Sequence, residues 1–263
     1  MLNLHEALET LLDAVEPLST QKIFVADGCG RVLAEPAFTL RAFPDTPRSA
    51  VDGYALGSTD RCIFQIKECL GAGEISLQPL QVGEAAAVMT GATIPEGAVA
   101  VVRVEDTQEQ QGQVEVLVPV DAGSNINKVG EEADPAQRIL PRGHRLSAID
   151  SSILCYAGLG NITVYKRPSV GILITGSELL EPGEPHQAGK AYNSNCHLLS
   201  QVLTQLGMEC TLMGPGADDP ELLQAALEEL VARNDVVVSS GGVSMGKYDY
   251  IRPLLHSAPY SAI

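Results

Sequence analysis

Val170-Gly171-Ile172-Leu173-Ile174-Thr175-Gly176-Ser177-Glu178-Leu179 decides the fold. Its first six residues form a continuous apolar run that breaks into glycine and polar residues. A strand with no polar alternation is buried on both faces, as in a parallel sheet covered by helices. Two more elements of the same kind follow. Residues 209–213 read as a second strand, and 236–240 (Val-Val-Val-Ser-Ser) as a third, ending in Gly241-Gly242. Between them, 195–206 reads as a helix ended by Gly207, with Asn195 a ready N-cap. Asp218-Asp219-Pro220 opens another helix, with proline in its first turn, running to about Arg233. Strand–helix–strand–helix–strand from residue 168 predicts an α/β domain with a mainly parallel sheet. Such sheets bind ligands at the carboxyl ends of their strands.

Working back toward the N-terminus, the texture changes. Residues 3–15 carry Leu4, Leu8, Leu11, Leu12 and Val15 on one helical stripe, with Asn3 as cap, Glu6 in the capping-box place, and Pro17 beyond. Residues 21–26 read as a short strand. From Phe43 to about Leu140, proline, glycine and short β-branched runs replace helical periodicity, and 99–104 and 114–118 read as strands. Ser147, with Asp150 three residues on, starts a helix to Tyr156, and Gly158 follows it.

Composition bounds the function. The 263 residues are 45% hydrophobic and 19% charged, enough for a core and the length of one large or two ordinary domains. Net charge is −16, spread evenly: −9 over residues 1–167 and −7 over 168–263. No linear segment is basic, which disfavours duplex nucleic acid and anionic membrane. Aromatics are 4% with no Trp, which argues against base stacking. The acidity favours divalent cations and disfavours an anionic substrate. The six cysteines include no C-x-x-C pair, against a zinc site. With no signal-like start and no long apolar run, the expected compartment is the reducing cytoplasm.

Three loops leave the carboxyl ends of the expected strands: 175–179, 214–219 and 239–249. Each combines glycines with hydroxyls or a carboxylate. Glycine lets backbone N–H groups approach a phosphate, and carboxylates can hold Mg²⁺ against it. Read singly, Asp218 or Asp219 is an N-cap and Gly241-Gly242 a tight strand exit. Asp52-Gly53 is a turn, and Thr90-Gly91 a strand end. Convergence of the three loops on one edge is what lifts them toward a metal-assisted phosphate site.

Ser49-Ala50-Val51-Asp52-Gly53-Tyr54, Met89-Thr90-Gly91-Ala92, Thr175-Gly176-Ser177-Glu178-Leu179 and Ser240-Gly241-Gly242-Val243-Ser244-Met245-Gly246-Lys247-Tyr248-Asp249 occur in this order. The set resembles the molybdopterin molybdenumtransferases, the MoeA and gephyrin E-domain family. That resemblance implies Mg²⁺-dependent insertion of molybdate into adenylylated molybdopterin with release of AMP. It implies an elongated N-terminal α+β domain (1–42 plus 135–167), an inserted β-rich domain (43–134), and a three-layer molybdopterin-binding domain from 168, truncated at 263. It further implies a homodimer with a cleft shared between subunits, and as partners an adenylyltransferase of the same pathway and recipient molybdoenzymes.

Carried over residue by residue, the resemblance makes Asp52, Thr90, Glu178 and Asp249 catalytic. Thr175, Gly176, Asn195, Asp218, Ser240, Gly241, Gly242 and Ser244 would bind the pterin ligand, and Glu178, Asp249 and Glu132 the metal. Ser177 stands where the family has aspartate, and Glu132 where it has aspartate after Gly-Glu. The family's Lys-Pro-Gly-Lys-Pro segment and C-terminal β-rich domain are not among these residues, which implies weak or absent transferase activity for this polypeptide. Two other readings are a molybdopterin adenylyltransferase, whose single domain resembles 168–263, and a non-catalytic pterin-binding scaffold.

Overall fold

The computed structural model describes residues 3–216, 219–241, 250–251 and 253–254. It divides into two compact units: residues 1–35, 142–151 and 161–263 in one, and 36–141 and 152–160 in the other.

The chain opens with helix α1 (Leu4–Ala14). Asn3 Oδ1 accepts from the Glu6 amide at 3.0 Å and Glu6 Oε2 accepts from the Asn3 amide at 2.8 Å, closing the expected capping box. Strand β1 (Thr20–Phe24) follows and ends in a 3₁₀ turn at Val25–Asp27, two residues short of the expected strand end.

The second unit is mainly β, as its composition predicts. Its centre is a six-stranded sheet of β2 (Gly53–Leu56), β3 (Ile63–Leu70), β4 (Glu84–Val88), β5 (Ala100–Arg103), β6 (Thr107–Gln110) and β7 (Gln113–Val116), in the order β5-β2-β4-β3-β7-β6. Only the β3–β4 pair is parallel. Both faces carry core. Ala55, Leu70, Ala86, Val88 and Val101 pack together in one cluster, and Tyr54, Leu56, Phe64, Ala85 and Val102 in another. Successive residues of β2 alternate between the two clusters, as the strand period of two requires. Arg48–Ser49 pairs with Ile126–Asn127 beside this sheet.

Helix α2 (Ala148–Tyr156) begins after Ser147, whose hydroxyl accepts from the Asp150 amide at 3.1 Å. Gly158 adopts φ +82°, the left-handed conformation that favours glycine at a helix end. Strand β8 (Asn161–Tyr165) then pairs antiparallel with β1 over five residues.

The remaining elements are β9 (Ser169–Thr175), α3 (Ser194–Gln205), β10 (Glu209–Gly216), α4 (Pro220–Arg233) and β11 (Val236–Ser240). The sheet order is β10-β9-β11, all parallel, with β9 in the centre. Leu173 packs with Leu227 and Leu230 of α4, while Ile172 and Ile174 pack with Cys196 of α3. Helices thus cover opposite faces of the sheet. Two departures from expectation bear on the site. Helix α3 starts one residue early because Asn193, not Asn195, is its cap; Asn193 Oδ1 accepts from the Cys196 amide at 3.3 Å. Strand β10 runs on to Gly216 through a register shift opposite Leu173 and Thr175; Gly214 within it has φ +121°, and a Cβ there would stand 2.4 Å from the Ile174 carbonyl oxygen.

Candidate functional site

The carboxyl edge of the parallel sheet carries three of the expected loops at one level. Thr175 of β9 is in register with Gly216 of β10, and Ile174 with Ser240 of β11. Glycine is required at two points here. Gly176 has φ +134°, and a Cβ on it would fall 2.7 Å from Glu178 Oε2. Its absence lets the Glu178 carboxylate fold back over the loop. Gly241 has φ +97°, and its Cβ would fall 2.6 Å from Thr175 Oγ1. The loops after β9 and β11 therefore touch, backbone against hydroxyl.

A third element closes the edge. Asn195, in the first turn of α3, donates from Nδ2 to Ser240 Oγ at 3.0 Å. Thr175, Glu178, Tyr192, Asn195, Ser240 and Gly241 line a cavity of about 300 Å³. Its donors are amides, hydroxyls and the first turn of a 12-residue helix, and Glu178 is an exposed carboxylate at its rim. This is the composition of a phosphate cradle beside an oxygen ligand for a hard cation.

Three residues that sequence reasoning passed over shape this site. Asn193 is buried and links the α3 cap to Glu181, donating to Oε1 at 3.0 Å. Tyr192 lines the cavity and donates from its hydroxyl to the Glu184 carbonyl at 3.0 Å. Lys190 donates from Nζ to the Ser177 carbonyl, placing a cation on the loop that carries Glu178. The signal was present in Lys190-Ala191-Tyr192-Asn193-Ser194-Asn195, where a cation and two amides crowd a helix start.

The other constellation lies at one end of β2 and β4. These strands pair with Gly53 opposite Val88, which brings Asp52 and Thr90 face to face just past the ladder. Asp52 Oδ1 accepts from the Thr90 amide at 2.6 Å and from Thr90 Oγ1 at 2.8 Å. The backbone donor, and after it the hydroxyl, hold the Asp52 carboxyl below its ordinary value. Asp52 is thus ionised, fixed in one orientation, and exposed. On the other side of β2, Gly53 allows the close approach of β5, since a Cβ there would stand 1.9 Å from the Val102 carbonyl oxygen. Gly91, at φ +80°, donates to the Ser49 carbonyl at 2.8 Å and turns the chain back after Thr90.

Glu132 is exposed beside a cavity of about 410 Å³ that Phe43, Arg138 and Tyr156 also line. Its amide donates to the Phe43 carbonyl at 2.9 Å. Asp219 caps α4, accepting from the Glu221 and Leu222 amides at 2.9 and 3.2 Å. Asp218, Gly242, Ser244 and Asp249 lie outside the described residues. Among the described residues, no group of three His, Cys, Asp or Glu side chains is placed to hold a metal. No helix among them is long and apolar enough to cross a membrane.

Comparison with known proteins bears on both constellations. Residues 2–158 match the family model for the MoeA N-terminal region (domain I and II), and residues 171–259 match a probable molybdopterin binding domain. A molybdopterin molybdenumtransferase of Nostoc sp. is 32% identical over 94% of this chain and 58% of its own length. One from Staphylococcus aureus is 30% identical over 94% and 61%. The crystal structure of a molybdopterin biosynthesis moeA protein from Pyrococcus horikoshii OT3 superposes with a TM-score of 0.81 at 33% identity, covering 90% of this chain and 65% of that one. The chain spans about three fifths of the length of the curated relatives it matches.

Proposed function

The chain belongs to the MoeA family, and on that premise we propose that it acts in molybdenum cofactor biosynthesis, binding adenylylated molybdopterin and molybdate for metal insertion with release of AMP. The observation that carries this reading is the meeting of Thr175, Gly176, Glu178, Asn195, Ser240 and Gly241 around one cavity at the carboxyl edge of β9 and β11.

In this reading the phosphates of the ligand lie against the Gly176 and Gly241 backbone and the first turn of α3. Thr175, Asn195 and Ser240 hydrogen-bond their oxygens, and Lys190 offsets part of their charge. Glu178 fits Mg²⁺. It is an exposed carboxylate beside the Thr175 and Ser240 hydroxyls, and Mg²⁺ is commonly held by one or two carboxylates plus substrate phosphates. When bound, the ion would neutralise charge developing on the phosphate oxygens. Asp249 and Glu132 belong to the same proposal as further metal ligands. Asp218, Gly242 and Ser244 belong to it as pterin contacts. The oriented Asp52 carboxylate and the Thr90 hydroxyl would bind and position molybdate or the pterin end.

The proposed assembly is a homodimer in which the two constellations come from different subunits. An association surface is supported by helix α1, which buries none of its residues and leaves Leu4 88% and Leu12 65% exposed. The proposed partners are the pathway's adenylyltransferase and recipient molybdoenzymes. An adenylyltransferase reading accounts for the parallel-sheet unit alone and leaves the Asp52–Thr90 pair without a role.

Calorimetric titration of adenylylated molybdopterin into the purified chain, with and without Mg²⁺, followed by AMP quantitation after molybdate addition, tests the proposal. Saturable, Mg²⁺-strengthened binding is expected, with molybdate-dependent AMP release weak at most. Absence of binding would overturn it.

A further inference from the structure

A second cavity lies at the opposite end of the parallel sheet, where the chain enters β9 and β10. Its volume is about 220 Å³, and its lining includes Arg31, Arg145, Lys166 and Arg167 together with Leu206 and Met208. Four cations from three separate segments thus converge in a chain of net charge −16. A fifth stands beside them: Arg142 Nε donates to Tyr165 Oη at 2.8 Å, with its guanidinium over the ring of that same lining residue.

Among the described residues, none of the four lining cations is within ion-pair distance of an acid. Asp235 feels the Lys166 charge at longer range. Arg31 Nη2 donates to the Tyr165 carbonyl at 2.9 Å, with the Gln21 amide turned so that its oxygen also accepts from the guanidinium. Arg31 Nε is buried without a partner. Burial, and after it the neighbouring Arg167 charge, hold the Arg31 pKa below its ordinary value.

The place of Arg167 is prepared by the backbone. A Cβ on Gly207 would stand 2.6 Å from Arg167 Cζ, and one on Gly30 3.5 Å from its Nη2. Both glycines have positive φ, +75° and +76°. The planar guanidinium therefore rests against Gly207 with its edge toward Gly30. Two like charges are held together here with no acid within ion-pair distance, so an anion between them would be attracted by both. Guanidinium forks match phosphate oxygens, and Val32, Leu206 and Met208 form the apolar part of the lining.

We propose that this cavity is a binding site for a small phosphate-bearing anion, held by Arg31, Arg145 and Arg167 and separate from the candidate site at the other end of the sheet. The inference does not depend on the function proposed above.

Inorganic phosphate, AMP and adenosine are titrated into the full chain at 150 mM-class ionic strength, with binding read by amide NMR and by thermal melting. Arg145→Gln and Arg167→Gln test the site, because both side chains are exposed and their loss leaves the core intact. Expected are saturable shifts at Gly30, Gly207 and Met208 with phosphate and with AMP but not with adenosine. Either substitution should weaken binding about tenfold or more. AMP binding in excess of phosphate would mark a nucleotide, and equal binding a simple phosphate ester. Shifts confined to Thr175, Gly176 and Gly241, an unchanged response in Arg167→Gln, or no response to phosphate would each overturn the proposal.

Discussion

Asn195 Nδ2 donates to Ser240 Oγ at 3.0 Å, joining residues 45 positions apart at the mouth of one cavity. The bond ties the first turn of α3 to the last residue of β11, so the rim of the cavity is set by two elements at once. Both groups are exposed, so the bond contributes little to folding. A hydrogen bond to a charged ligand contributes about 1.5–3 kcal/mol. Asn195→Ala should therefore lower affinity for adenylylated molybdopterin about tenfold or more, with the melting temperature nearly unchanged. Unaltered affinity in calorimetry would remove Asn195 from the site.

Glu178 offers a different readout. Glu178→Gln keeps the shape of the loop and removes its charge. Binding of the nucleotide-bearing ligand should persist, while molybdate-dependent AMP release falls on the order of 10²-fold, the scale for losing one preorganised electrostatic group. Equal loss of binding and release would show that Glu178 acts only in holding the ligand.

Asp52 is held low by the Thr90 amide first and the hydroxyl second. Thr90→Val removes only the hydroxyl. Carboxyl NMR should therefore show Asp52 titrating below the ordinary value of about 3.9 in the parent chain, and at a higher pH, still below that value, in the variant. The pairing is complete above the unfolded-state value and is lost as pH falls through the depressed folded value. An Asp52 titration that ignores Thr90→Val would contradict the geometry.

Asp150 is depressed further, to about 2, by the Ser147 hydroxyl and amide and by His144. His144 Nε2 lies 3.0 Å from Asp150 Oδ2. Because the folded pKa is lowered, its stabilising contribution is present above about pH 4 and disappears as pH falls toward 2. Asp150→Asn should flatten the acid-unfolding curve within that window and leave it parallel to the parent above it. A curve unchanged in shape would refute the assignment.

Gly53 is a packing requirement. Its Cβ would stand 1.9 Å from the Val102 carbonyl oxygen across the β2–β5 pair. Gly53→Ala should cost about 3 kcal/mol or more, read by urea denaturation, because β5 must move away from β2. A fully stable variant would show that the strands can spread without penalty.

Much of this architecture is legible in the residues. Val170 to Thr175 marks a buried central strand because it carries no alternating polar face. Asn3 with Glu6, Ser147 with Asp150, and Asp219 with Pro220 mark helix starts because those side chains satisfy free amides locally. Other features were hidden because their causes lie across the fold. Asn195 reads as a cap in sequence, yet Asn193 takes that place by bonding both the helix and Glu181. Spacing also leaves Asp52 and Thr90 as a turn and a strand end. Only the β2–β4 register brings them within 2.6 Å.

Charge makes the same division. Sequence alone determined that the molecule is acidic, that the stretch from Phe43 to about Leu140 is largely β, and that the region from residue 168 is a parallel sheet bearing glycine loops, because these follow from composition and local periodicity. Tertiary structure alone decided where the scarce cations go. No linear segment is basic, yet Arg31, Arg142, Arg145, Lys166 and Arg167 meet around Tyr165. Coulomb energy depends on distance in space, and chain order does not contain it.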